Sequence, residues 1–188
     1  TTLIDSYTNF KHNGASDTAL SQYRYTYDDN GNILTITDKA GNVTTYTYDQ
    51  LNQLVRADDQ KANVSTAYSY DVGGNITTTK TYAYTTGTLG TATNSVNYDY
   101  GDTNWKDLLT SYNGQNITYD AIGNPLTYRN GMSFTWEGRQ LKTSIANGNN
   151  ISYTYNSDGI RTSKTVAGTT TKYFVDGSTV LAQQTGSD

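Results

Sequence analysis

At 188 residues the chain is long enough for one domain with a sizeable core, yet only 34% of it is hydrophobic and 18 tyrosines stand against 3 phenylalanines. Buried tyrosine brings hydroxyls that need partners or a wet edge, which argues for a sheet with one tyrosine-rich face over a thick two-layer core. A net charge of −4 with Lys and Arg scattered singly is no nucleic-acid footprint; the lack of cysteine removes disulfides, thiol catalysis and Cys-based metal sites; and no apolar run approaches the ~20 residues of a membrane helix.

Residues 1–22 alternate weakly and predict a lead-in or terminal strand. They hold neither the charged region nor the apolar core of a signal peptide, and no initiator Met, so the chain reads as a piece of a larger protein whose targeting signals lie elsewhere. His12 sits here beside Lys11 and Asn13 and reads as a surface-loop residue, not as the base of a Ser-His-Asp triad.

From 23 to 84 one short pattern recurs. Tyr25 and Tyr27 fall on one face of a strand, and Asp28-Asp29-Asn30-Gly31 has the Asp and Gly of a type I turn. A strand opens at Asn32, Asp38-Lys39-Ala40-Gly41 repeats the turn, and the next strand ends on Tyr46, Tyr48 and Asp49. Asn52 takes the place of the turn glycine there, being the other residue that tolerates the left-handed region. The pattern returns at Tyr68, Tyr70, Asp71, Gly74 and Asn75. Residues 85–97 predict an irregular loop, and Trp105–Leu109 a short turn or a single helical turn. Degenerate copies fill 98–180: Tyr119, Asp120, Gly123 and Asn124; then Trp136, another large amphipathic ring; then Tyr153, Tyr155 and Gly159. Residues 181–188 read as a tail. The period of roughly 20 residues marks a repeat array. Two strands per unit give roughly 15 to 17 strands about 4.8 Å apart, too wide to lie flat, so the fold class is all-β, a curved antiparallel meander of hairpins.

This grammar resembles the YD repeats of the rearrangement-hotspot (RHS) family, Tyr-x-Tyr-Asp-x-x-Gly-Asn-(Leu/Ile). It stands here as Tyr25–Ile33 and Tyr68–Ile76, with a looser copy over residues 117–126, and the likeness covers roughly residues 20–180. The resemblance implies a segment of a spiral β-shell in a large, exported bacterial protein, wall-associated or toxin-bearing, located outside the cell or at its surface. Its implied partners are the remainder of the parent chain and a C-terminal passenger. The family's self-cleaving core, with its aspartates and D-P-x-G box, has no counterpart in this stretch, so no catalytic residue carries over. A cut-out arc would also leave two free edges, which invites dimerisation.

The residues that suggest chemistry have simpler readings. Asp28–Asn32 begins like a calcium loop, but Ile33 stands where the Gly belongs and no bidentate Glu follows. Asp58-Asp59 and the lone Glu137 offer no facing pair for glycoside hydrolysis. The Asn-x-Ser/Thr triplets at Asn42, Asn63, Asn75, Asn116 and Asn150 arise wherever a turn Asn meets strand alternation. The expectation is therefore a structural chain without enzyme activity, cofactor or metal. The alternative is a carbohydrate-binding or surface-adhesion module using exposed Tyr, Trp105 and Trp136 on a cell-surface glycan. The regular recurrence of the tyrosines favours packing.

Overall fold

The computed structural model describes residues 3–14 and 16–187. Thr1, Thr2 and Ala15 of the expected lead-in and Asp188 of the expected tail lie outside the described residues. Among the described residues there is no helix, and the chain divides into two compact units, Thr1–Tyr98 and Asp99–Asp188.

The first unit is a meander in sequence order: β1 (Ser6–His12), β2 (Asp17–Tyr27), β3 (Ile33–Asp38), β4 (Val43–Tyr48), β5 (Leu54–Asp59), β6 (Val64–Tyr70), β7 (Ile76–Ala83) and β8 (Asn94–Asp99). Each strand pairs antiparallel with its neighbour in sequence, and β1 does not return to close a barrel. The expected lead-in forms β1 and the start of β2, because Lys11 and His12 find Thr18 and Asp17 across a hairpin. The expected loop at 85–97 is shorter than its sequence suggests. β8 begins at Asn94, where Asn94–Asn97 pair along Thr81–Thr78 of β7.

The second unit opens with a small hairpin, β9 (Ser111–Tyr112) and β10 (Gln115–Asn116). A seven-stranded meander follows: β11 (Thr127–Tyr128), β12 (Met132–Glu137), β13 (Gln140–Ala146), β14 (Asn149–Tyr155), β15 (Arg161–Val166), β16 (Thr169–Asp176) and β17 (Thr179–Thr185). The expected tail is mostly β17, since Gln183 and Gln184 pair with Tyr173 and Lys172. Trp105–Leu109 is a turn closed by the Leu108 N–H on the Trp105 carbonyl.

The two kinds of hairpin end differ in chemistry. The Asp-x-x-Gly-Asn loops are three-residue connections: Asp28 N–H bonds the Asn32 carbonyl at 3.0 Å, and Gly31, at φ +86°, carries the chain through the left-handed region. The opposite ends in the second unit are two-residue turns with both residues at positive φ, at Asn130-Gly131, Asn147-Gly148 and Ala167-Gly168. Such turns match the natural twist of the strands they join. Just inside the Asp28 hairpin the register slips by one residue, Tyr27 facing Ile33 while Thr26 faces Thr35, whereas the Asp38 hairpin keeps its register. The same slip occurs beside Tyr48, Tyr70, Trp136, Tyr155 and Val175. A bulge bends and twists its strand, so curvature is written into each of these hairpins.

Little is buried. Among the described residues Ile117 is the one fully buried hydrophobic side chain, and Ser65 and Asp58 are buried deeper than most apolar groups. Stability therefore rests on ladder bonds and cross-strand pairs in sheets one layer thick.

Candidate functional site

The recurring loop is the first element of the site. Asp28 Oδ1 accepts the N–H groups of Asn30 (3.0 Å) and Asn32 (2.8 Å), and its Oδ2 accepts the Asn32 side-chain amide (2.9 Å). Asp38 does the same with Ala40 and Asn42, Asp71 with Gly73 and Asn75, and Asp120 with Ile122 and Asn124. Asp49 keeps both backbone bonds, to Leu51 and Gln53, and Asn52 turns at φ +60° in place of glycine. The side-chain bond from Asn32, Asn42 or Asn75 is the largest influence holding Asp28, Asp38 or Asp71 below the ordinary carboxylate range. At Asp120 desolvation is the largest influence and opposes this, but the bonds from Asn124 and its neighbours outweigh it. The fifth-position Asn does more than open a strand. Its amide in fact staples the loop, and the signal for it was the Asn in the D-x-x-G-N string.

The second element is the ring that ends the strand before alternate loops, present before Asp28, Asp49, Asp71 and Asp120 and absent before Asp38. Tyr48 donates its hydroxyl to the Ile33 carbonyl at 3.0 Å, and Tyr70 to the Leu54 carbonyl at 2.7 Å. Tyr27 reaches the Ile4 carbonyl, Tyr119 the Leu109 carbonyl and Tyr155 the Leu141 carbonyl. Trp136 uses its indole N–H on the Pro125 carbonyl at 2.7 Å. The registers explain the need. The β3–β4 ladder ends at Thr35–Thr45 and the β5–β6 ladder at Arg56–Ala67, so Ile33 and Leu54 lie two residues beyond the last backbone rung. The bulge splays the strands there, and the ring fills the gap and supplies the missing rung. Only a side chain with both bulk and a donor can do this, which is why Trp replaces Tyr. Burial is the first cause pushing the Tyr48, Tyr70 and Tyr119 hydroxyls above the usual phenol range, so they stay protonated donors.

The other tyrosine of each pair does a different job. Burial, then the charge of Asp59 and neighbouring rings including Tyr68 and Tyr25, pushes the Tyr46 hydroxyl above the usual phenol range. The Tyr25 and Tyr27 rings stack at 6.4 Å. In the second unit Arg161 lies over the Tyr153 and Tyr173 rings at 5.8 and 5.2 Å.

The remaining candidates are dispersed. His12 ends β1, exposed, with Asp17 at 2.7 Å. Asp58 is bonded to Arg56 Nε at 2.8 Å, and Asp59 accepts the Ala62 N–H. Arg56 also donates to the Gly87 carbonyl, while Ser65 Oγ exchanges bonds with Thr85, tying the 84–93 loop to the sheet. Glu137 pairs with Lys142. Trp105 is 50% exposed and lies on Gly123, where an added Cβ would fall 2.6 Å from its ring. It borders a shallow cleft of about 380 Å³ with Asp102, Asn104 and Tyr119.

Residues 27–63, which span the first loop–ring–bulge cycle, match the family model described as RHS Repeat. That stretch carries the RHS repeat. Solved structures similar in fold to this chain include a Tc holotoxin pore of Photorhabdus luminescens, at 20% identity and TM-score 0.63 over 91% of this chain and 11% of that one. TcdB2-TccC3 without its hypervariable C-terminal region gives 19% and 0.61 over 91% and 11%. TcdB2-TccC3-TEV gives 20% and 0.56 over 89% and 10%. At such identities the likeness is one of fold, and this chain spans about a tenth of the length of those it matches. Among curated proteins none matches the sequence significantly.

Proposed function

We propose that this chain is a non-catalytic wall segment of a large exported RHS protein, laying part of a β-shell that encloses or displays a C-terminal toxin or effector. The ring-to-carbonyl latch carries the reading. It joins unit to unit in series, in sheets that bury almost no apolar side chain, a construction suited to a wall and not to a self-contained globule. The fold shared with far longer Tc toxin chains supports it. The work done is sequestration: a continuous hydrogen-bonded sheet keeps a passenger from proteases and from the producing cell. No residue is given a catalytic or cofactor role, and the destination is extracellular or cell-surface. The test is limited proteolysis of the parent protein. A passenger that survives until the wall denatures supports the proposal, and one cut as fast as when isolated refutes it.

A second reading rests on Trp105. Its half-exposed ring beside Asp102 and Asn104 is the arrangement that stacks on a sugar, whereas Trp136 is engaged in the latch. Glycan-array binding lost on Trp105→Ala would favour adhesion, and a silent array would remove this reading.

A further inference from the structure

Five Asn-Gly pairs stand in the chain, beginning at Asn13, Asn30, Asn113, Asn130 and Asn147. Such pairs are prone to lose ammonia, because glycine has no side chain to shield its own nitrogen from the asparagine before it. The reaction requires the glycine nitrogen to reach the asparagine Cγ. In four of the five pairs the fold works against that approach.

Asn113, Asn130 and Asn147 sit in hairpin turns at φ +48°, +60° and +51°. In this left-handed conformation Cβ lies against the residue's own carbonyl oxygen. The following nitrogen, on the other side of the carbonyl carbon, therefore faces away from the side chain. Asn30 is held differently. Its side-chain amide donates to Asn52 Oδ1 at 3.0 Å, and the Gly31 N–H is committed to the Asp28 carbonyl at 3.1 Å.

Among the described residues neither guard is present at Asn13. It follows β1, exposed, and is not one of the positive-φ residues. Its side-chain amide has one long bond, 3.4 Å to the hydroxyl of Thr18, itself exposed. The Asn13 N–H bonds the Ser16 carbonyl at 3.1 Å, which fixes neither reacting atom. Around Gly14 an added Cβ would meet nothing within 4 Å.

We propose that Asn13-Gly14 is a modification site, at which the folded chain converts asparagine to aspartate and isoaspartate. The Gly14 nitrogen attacks Asn13 Cγ and closes a succinimide ring. Solvent carries the nitrogen's proton to the departing amide, which leaves as ammonia. Water then opens the ring at either carbonyl. One water is consumed and one ammonia released, with no oxidant or reductant. The isoaspartate product lengthens the β1–β2 connection by one backbone carbon. Both products add a carboxylate near His12 and Asp17, which are paired at 2.7 Å.

The full chain, kept folded in mildly alkaline buffer and sampled over time, is read by peptide mass spectrometry and isoaspartate-specific methyl labelling. Asn13 should react at least about tenfold faster than Asn30, Asn113, Asn130 or Asn147, the factor that ~1.4 kcal/mol of turn opening supplies. In urea the five rates should converge, because the guards belong to the folded backbone. Ala167→Asn writes a further Asn-Gly pair at φ +48°, and it should stay slow until urea is added. Asn13→Gln should remove the fast reaction and leave the others unchanged. A turn pair that keeps pace with Asn13 in the folded chain overturns the proposal, and so does an Asn13 as slow as the rest. A spread of rates in urea as wide as in the folded chain also overturns it, by assigning the differences to neighbouring sequence.

Discussion

Replacing Tyr70 by Phe isolates the latch. The ring keeps its volume and its place, and only the 2.7 Å bond to the Leu54 carbonyl disappears. That carbonyl lies beyond the last β5–β6 rung, so no backbone donor takes over. A neutral hydrogen bond contributes about 1 kcal/mol net, and an acceptor left unpaired costs about 1–3 kcal/mol when buried. Leu54 is only half-buried, so water partly relieves it, and about 1–1.5 kcal/mol is expected. With a urea slope of about 1–3 kcal/mol/M, the midpoint should fall by roughly 0.5–1 M with the slope unchanged. Tyr68→Phe, two residues earlier on the same face, is the control and should move the midpoint by less than half as much. Trp136 tests the same idea in the second unit: Trp136→Tyr keeps a donor, Trp136→Phe does not, and Phe should be the less stable of the two. Equal midpoints for Tyr70→Phe and wild type, with a large loss for Tyr70→Ala, would show that the ring packs but its hydroxyl does no work.

The Asp loops and the latch rings set opposite ends of a pH profile. Asp28, Asp38 and Asp71 sit below their ordinary range, so their contribution is present above about pH 4 and is lost as pH falls through their lowered values. Tyr48 and Tyr70 sit above theirs, so their contribution is present below about pH 10 and is lost as pH rises through their raised values. Melting temperature against pH should show a plateau between these limits, and a fall already at neutral pH would contradict it. Ala167 holds φ +48° in a two-residue turn, so Ala167→Asn should stabilise by about 0.5–1 kcal/mol in urea titration. Gly31→Ala should cost about 1–2 kcal/mol for its left-handed backbone, with nothing in the way of the methyl. Gly123→Ala meets the same backbone strain and also pushes Trp105 off its seat, so it should cost more and increase iodide quenching of tryptophan emission.

The meander, the turn aspartates and the pairing of Tyr25 with Tyr27 were legible because each is local. Alternation sets the face, and an Asp-to-Gly spacing sets the turn. The partner of each ring was not legible, because Tyr48 to Ile33 depends on where a bulge ends a ladder, and a one-residue register slip leaves no mark in an alternating string. The strand ends at Asn94 and Thr185 were hidden for a related reason: Thr, Gln and Asn suit a loop as well as a one-layer sheet wet on both faces. The Arg56–Asp58–Ser65 network could have been suspected, since Arg56 and Asp58 fall on one face of β5 with opposite charge, but its target is the loop carbonyls of Thr85 and Gly87.

The degeneracy of the repeat supports the donor account over one based on ring shape. If the signature position needed only a flat apolar body, phenylalanine would serve, and the chain has Phe10, Phe134 and Phe174 to show that it uses that residue elsewhere in its strands. At the six latching positions described above it places Tyr five times and Trp once, and each reaches a carbonyl that the neighbouring ladder has just run past. Where the donor is lost, at Val175, an Arg161 guanidinium between two rings takes over the joining of strands. A sheet without a core has only nearest-neighbour bonds to hold it. Where a bulge in one ladder meets the end of the next, a carbonyl is left past the last rung, and the ring of the following unit bonds it. Curvature and cohesion are thus coupled in a single string, Tyr-Asp-x-x-Gly-Asn, and a chain that must bend at every unit has a physical reason to repeat it.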